Sequence, residues 1–254
     1  MPFRTERNRM LDDLRAAEFE VVRVLKDDFF AENLLLARGG ERFVAKHSRM
    51  RQPLAWVLRP VSWLLSRLES RAYDRMRGVT GVPGRVEPSG RAFFVHRYVE
   101  GTTLHRYNKE HRDRRRRGEA IVSDAFFAGL ETILVEIHRR GMTYNDLSKP
   151  ENIIVGADGR PYLIDFQISS DFSALGPALR KFLDPLFGLL RREDLYHLLK
   201  LKAKIRPDLV TSAERARLSP SVANRAHRLL RVPLLGFKRL VFPKGSDDVW
   251  RWKL

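Results

Sequence analysis

Apolar residues follow two different rhythms along this chain. Through the first hundred positions they come in short β-rich runs bounded by turn residues. Phe19–Leu25 (FEVVRVL), Asn33–Ala37 (NLLLA) and Arg42–His47 (RFVAKH) read as strands, with Gly39-Gly40 as the hairpin turn before the third. Arg91–Val99 reads as a further strand. One helix is expected in this part, over Ala55–Met76 with a break at Pro60, ended by Gly78–Pro83. Near Gly101 the rhythm changes. Phe126, Phe127, Leu130, Ile133, Leu134 and Ile137 recur at helical spacing, which predicts a helix within Ile121–Arg140 capped by Gly141. Asn152–Val155 and Tyr162–Ile164 are short apolar runs joined by Ala157-Asp158-Gly159, a hairpin signal. Beyond Asp171 the pattern is helical and loop-like. The expectation is an α+β chain, one two-lobed domain over 1–254, with a small β-rich N-lobe over 15–100 and a helical C-lobe over 101–254.

Charge adds a constraint. The 254 residues include 48 Lys+Arg against 31 Asp+Glu, a net charge of +17. Such an excess points to an anionic partner: nucleic acid, an anionic membrane face or a phosphorylated ligand. Residues 171–254 hold 18 basic and 8 acidic side chains, so the excess is concentrated there. Arg112–Arg117 places five arginines in six positions and by itself reads as a solvated loop. A hydrophobic content of 43% excludes a wholly disordered chain. The absence of Cys excludes a disulfide scaffold, Cys-ligated zinc, an iron–sulfur centre and a thiol nucleophile. Met1–Arg7 has no apolar h-region, and no run of about 18 apolar residues occurs, so neither a secretory signal nor a membrane span is expected. The expected location is cytoplasmic, with peripheral attachment at the inner membrane face as a variant. Pro53–Leu65, with Trp56 and Trp63, mixes aromatic and apolar residues. Arg231–Leu254, with Phe237, Phe242, Trp250 and Trp252, interleaves aromatics with Lys and Arg. Both patterns suit an anionic membrane surface, and both also suit ordinary helix packing.

The chemistry concentrates in His138–Ser169. Asp146 lies in a loop after the long helix, Asn152 opens the first hairpin strand, and Asp165 closes the second. A hairpin sets its outer ends side by side, so Asn152 and Asp165 can share one cation. Hard oxygen ligands of this kind suit Mg²⁺ held together with substrate phosphates. Asp146 is then near and free to orient an attacking hydroxyl. Helical zinc spacing, a Gly-x-Ser-x-Gly elbow and a Walker-type Gly-Lys-Ser/Thr are all missing.

This series resembles the core of protein kinase-like enzymes, whose loop H-R-D-L-x-x-x-N precedes a hairpin and D-F-G. Here the loop is Tyr144-Asn145-Asp146-Leu147-Ser148-Lys149-Pro150-Glu151-Asn152, followed by Asp165-Phe166-Gln167. Val44-Ala45-Lys46 is similar to the V-A-I-K strand. Glu69 on the next helix is similar to its partner glutamate, and Arg97–Leu104 to the segment between lobes. The resemblance implies ATP and Mg²⁺ as cofactors. Lys46 and Glu69 would serve the α/β-phosphates, and Ala45 and Ile154 the adenine faces, although two core residues would look the same. Asn152 and Asp165 would hold the metal. Asp146 would be the catalytic base, with Lys149 beside the transferred phosphate. Asp194, within the helical stretch Arg191–Lys202, is either the buried aspartate that braces the catalytic loop or a solvated helix charge.

Several positions depart from the family. Lys26-Asp27-Asp28-Phe29-Phe30-Ala31 stands where a glycine-rich loop belongs, and its carboxylates would repel ATP unless Lys26 compensates. Asn152 follows Asp146 by six positions rather than five, Asn145 replaces an arginine, and Gln167 replaces a glycine. No A-P-E follows, so regulation by activation-loop phosphorylation is not expected. The departures resemble the RIO kinases, which act on protein serine or threonine or as ATPases. They also resemble bacterial lipopolysaccharide (Kdo) kinases, which act on a lipid-linked saccharide. A pseudokinase that binds membrane or nucleic acid through its basic surface is the third reading.

Overall fold

The structure, a computed structural model, describes residues 2–27, 31–48 and 55–218. The chain divides into two compact units, Met1–Val210 and Thr211–Leu254. Asp28 of the acidic loop, Pro53 and Leu54, and the aromatic–basic stretch Arg231–Leu254 lie outside the described residues. The first unit is α+β, with a small antiparallel sheet in its N-terminal region and helices later.

Helix α1 (Pro2–Ala16) is followed by strands β1 (Glu20–Asp27), β2 (Ala31–Arg38) and β3 (Glu41–Ser48), then by helix α2 (Ala55–Arg75). Strands β4 (Arg85–Val86) and β5 (Phe93–Arg97) complete a five-stranded sheet of order β1-β2-β3-β5-β4. The β2–β3 turn is Gly39-Gly40, with φ of 57° and 79°. Two consecutive positive φ values make the tight turn that matches strand twist, and glycine adopts them without a Cβ clash. The register then places Asn33 opposite Lys46 and Leu34 opposite Ala45.

The sheet has two differently used faces. One face packs Leu34, Leu36, Phe43, Ala45, Phe93 and Val95 against Met10 and Leu14 of α1. Helix α1 was not expected: Met10 and Leu14 are buried in that core and Leu11 packs partly against it, while much of the remaining sequence is charged or polar. An Arg7–Glu32 ion pair of 2.9 Å joins it to β2. The other face carries Lys46 toward α2. Helix α2 runs through Pro60 without the expected break, forgoing one backbone hydrogen bond.

Strand β6 (Gly101–Thr103) leads into helices α3 (Leu104–Glu110) and α4 (Arg112–Arg116). The arginine run is thus a short helix rather than a loop. Helix α5 (Ala125–Arg139) buries all six apolar residues picked out by spacing, together with His138. Then come β7 (Met142–Thr143), a 3₁₀ turn (Pro150–Asn152), β8 (Ile153–Gly156), β9 (Pro161–Leu163), β10 (Ser170–Asp171) and α6 (Pro177–Ile205). Strands β6, β8 and β9 form one sheet, and β7 pairs with β10. Buried Arg206, just past α6, donates to the carbonyl of Val122 at 2.7 Å and to Asp124 at 2.6 Å, closing α6 onto the start of α5. In the second unit, α7 (Ser212–Arg217) starts at Thr211 with a reciprocal Thr211–Glu214 capping box. Among the described residues, no helix is long and apolar enough to cross a membrane.

Gly101 is the tightest backbone approach. Its φ is 152°, and a methyl group there would collide with the Val155 carbonyl oxygen and lie 2.9 Å from the Gly156 Cα. Gly101→Ala should therefore lower the unfolding free energy by about 1–3 kcal/mol in denaturant titration, with an unchanged m value.

Candidate functional site

Lys46 alternates with Ala45 along β3, so the two point to opposite faces of the sheet. The Lys46 ammonium is buried and donates to Glu69 Oε1 at 2.6 Å and to Asp165 Oδ1 at 2.9 Å. Burial opposes its charge, but the carboxylates of Asp165 and Glu69 outweigh burial and hold it protonated well above the usual lysine range. Asp165 is also pushed toward neutrality by burial, and Lys46 more than reverses this, bringing its carboxyl down to about 2. Lys149 and Lys26 add to that pull. Lys26, at the end of β1, therefore lies within the field of the site.

The second cluster surrounds Asp146. Its Oδ2 accepts from Lys149 Nζ at 2.6 Å and from Asn152 Nδ2 at 2.8 Å. Asp146 is thus engaged through Oδ2 rather than free. Burial raises the Asp146 carboxyl above its ordinary value, against the pull of Lys149. The Asp165 charge adds to the rise, so the two clusters share one field. They are brought together as the hairpin predicts, since Ile164 N–H donates to the Asn152 carbonyl at 3.0 Å across the outer ends of β8 and β9.

Of the two residues expected as adenine faces, Ala45 is placed differently. Ala45 is fully buried in the cluster beneath α1, away from the Lys46 face, and Val44 is the neighbour that shares that face through Lys46's two-residue period. Ile154 stays half-buried, between the fully buried Ile153 and the buried Val155. An open cleft of about 400 Å³, lined in part by Pro83, Tyr98, Glu100 and Tyr162, contains none of the candidate residues.

The loop that carries Asp146 is held from beneath. Asp194 of α6 is 1% exposed. Its Oδ2 accepts from Tyr144 N–H at 2.9 Å and from His138 Nε2 at 2.9 Å, and its Oδ1 accepts from Asn145 N–H at 2.8 Å. The bracing alternative therefore holds and the solvated one does not. Asn145 has a φ of 64° and Asp165 one of 65°, two of the three non-glycine positive values among the described residues. Such strain persists only where the surroundings over-determine it. Asn145 is locked further by its amide, which donates to Ile168 O and to Ser170 Oγ, both at 2.9 Å. Asp165 is locked by its N–H, which donates to Tyr73 Oη at 3.2 Å.

Tyr73, Tyr144, Phe166 and Asn145 escaped the reading by spacing. Tyr73 stands edge-on to Phe166 at 5.1 Å and stacks on His96 at 5.2 Å, while Tyr144 also stands edge-on to Phe166 at 5.2 Å. Tyr144 Oη also donates to the Ile164 carbonyl. These rings pin the residue that follows Asp165. Tyr73 carried a usable signal, since it lies four positions after Glu69 and so on the same helix side.

The donor chemistry fits a hard cation shared with phosphate. Asp165 offers a carboxylate and Asn152 an amide oxygen, and no cluster of three or more His, Cys, Asp or Glu occurs at metal-binding spacing among the described residues. Mg²⁺ bound through one or two protein oxygens plus substrate phosphates needs no fuller cage. No protein-family model matches the chain, and no curated protein matches it at a significant level.

Two outcomes follow from this geometry. Asp194→Ala leaves two backbone N–H groups and His138 without their acceptor, and should cost about 3 kcal/mol or more in equilibrium unfolding, with Asp194→Asn intermediate. Asp165 has a folded value near 2, below its unfolded value of about 4. The unfolded chain therefore takes up this proton first, so the contribution is present above pH 4 and is lost as pH falls toward 2. Denaturant titrations in that window should show a shallower pH slope for Asp165→Asn than for the wild type.

Proposed function

We propose that this chain is an ATP- and Mg²⁺-dependent phosphotransferase with a two-lobed protein kinase-like fold, moving the γ-phosphoryl group to a hydroxyl. The observation that carries the reading is the Lys46 ammonium, shared between Glu69 and Asp165 on one side of a site whose other side is Asp146 with Lys149 and Asn152. An isolated ion pair would serve stability alone. A buried cation between two carboxylates, beside a second aspartate whose carboxyl is raised by burial, is an arrangement suited to phosphate chemistry.

Lys46, steadied by Glu69, offers its ammonium to phosphate oxygens. Asp165 and the Asn152 amide oxygen would hold Mg²⁺, which supplies charge neutralisation on the phosphates when bound. Asp146 orients the acceptor hydroxyl and receives its proton as the new O–P bond forms and the bridging O–P bond to ADP breaks. A carboxyl raised by burial is a better proton acceptor. Lys149 offsets negative charge beside the transferred group. Ile154, on the half-buried side of β8, remains an apolar face for the base. Asn145 ties the segment after Asp165 to the Asp146 loop without any phosphate.

The first acceptor reading is a protein serine or threonine, as in the RIO kinases. The second is a lipid-linked saccharide. It is favoured by an exposed apolar stripe on α6, the helix that follows the Asp165 segment.

Separating binding from transfer tests the assignment. Asp146→Asn should keep Mg²⁺–ATP affinity within about twofold while turnover falls by about 10²-fold or more. Lys46→Met should weaken nucleotide binding, and chelation of Mg²⁺ should abolish turnover. Turnover of Asp146→Asn at the wild-type rate would remove Asp146 from the mechanism.

A further inference from the structure

The N-terminal half of α6 has an apolar side that the rest of the described protein does not use. Phe182 is 79% exposed, and Leu179, Leu186 and Leu189 are each about half exposed. Their spacing of three, four and three places them in one stripe along the helix. The buried residues Phe187, Asp194, Leu198, Leu201 and Ile205 define a different face. A cluster of large, exposed apolar side chains on one surface marks an interaction site rather than the scattered exposure normal for a globular surface.

The charges around the stripe select the occupant. Exposed Arg180 and Lys181 stand at its start, exposed Arg191 and Arg192 just past its end, and Asp184 is the only acidic residue between 177 and 192. A second copy of the chain would bring these cations against their own kind in a symmetric contact, on a protein of net charge +17. An anionic lipid surface has the opposite sign. It takes a convex apolar stripe without a fitted groove, and it lets the long Arg and Lys side chains reach headgroups while their stems stay apolar. Trp63 of the other aromatic segment lies under the Arg91 guanidinium at 4.8 Å, so that residue is already packed within the protein.

We propose that α6 docks on an anionic membrane surface through Leu179, Phe182, Leu186 and Leu189, with Arg180, Lys181, Arg191 and Arg192 at the headgroups. Docking stands independently of the phosphotransferase reading. Its consequence rests on that reading: α6 also carries Asp194, so the Asp146 loop would be held close to the lipid surface, where a membrane-borne hydroxyl is presented.

Full-length protein is co-sedimented with vesicles of phosphatidylcholine, with and without about 30% phosphatidylglycerol, at about 0.1 M salt. Binding is expected to the anionic vesicles and to fall at least tenfold, roughly, in the double variant Phe182→Ser, Leu186→Ser. A second variant, Lys181→Gln with Arg192→Gln, leaves the stripe intact and should lose about fivefold per cation. Both pairs are exposed, so thermal melting should match the wild type. Absence of wild-type binding overturns the proposal, as does equal binding to neutral vesicles. Wild-type affinity in the Phe182→Ser, Leu186→Ser protein also overturns it, and then places any lipid contact in another segment such as Arg231–Leu254. A dimer in light scattering that the same variant converts to monomer overturns it in favour of self-association. Vesicle binding that survives loss of phosphotransfer in Asp146→Asn separates docking from catalysis.

Discussion

The Lys46 ammonium joins parts of the chain separated by 119 residues in sequence. A buried cation without partners would be prohibitive, and its removal would leave Glu69 and Asp165 uncompensated. Every element that supplies a partner is therefore constrained. The regular β2–β3–β5 register aims Lys46 at α2, and α2 presents Glu69 inward. The β8–β9 hairpin returns Asp165 from the far end of the sequence. Helix α1 covers the opposite side of the sheet, and α2 meets the Lys46 face through Glu69.

A second buried carboxylate governs the other half of the site. Asp194 satisfies two backbone N–H groups and His138 at once, fixing the loop in which Asn145 takes a left-handed conformation. Asn145 then bonds the segment that leaves Asp165. The two strained residues are tied to one another through this short path, with Tyr73 and Tyr144 both edge-on to Phe166. Helix α6 carries both the exposed stripe and Asp194, with Pro185 inside the helix.

Much of the site was legible because its chemistry sits on elements with clear periodicity. Lys46, Glu69, Asp146, Asn152 and Asp165 are polar residues interrupting or ending apolar runs, and the hairpin signal brings the last two near each other. Ala45 was misplaced because its assignment followed a motif rather than the two-residue period of the strand; the alternation alone puts it opposite Lys46. Asn145 looked like a loss, since its value depends on a positive φ and on a chain segment more than twenty residues later. Asp194 was ambiguous for a similar reason: its acceptor role is defined by backbone N–H groups, which leave no trace in side-chain identity. Helix α1 offered Met10, Leu11 and Leu14 within a mainly charged and polar segment, too little for a 3.6-residue pattern to stand out.

The central claim is that the Lys46–Asp165 and Asp146–Asn152 clusters form one phosphoryl-transfer site. The most direct measurement uses γ-labelled ATP with Mg²⁺ and a cell extract, separated into protein and lipid/glycolipid fractions, for the wild type and Asp165→Ala. The account predicts label in one fraction with the wild type and none with the variant, the fraction naming the acceptor class. Equal labelling by both proteins, or no labelling by either, would contradict it and leave the clusters as a structural ion-pair network.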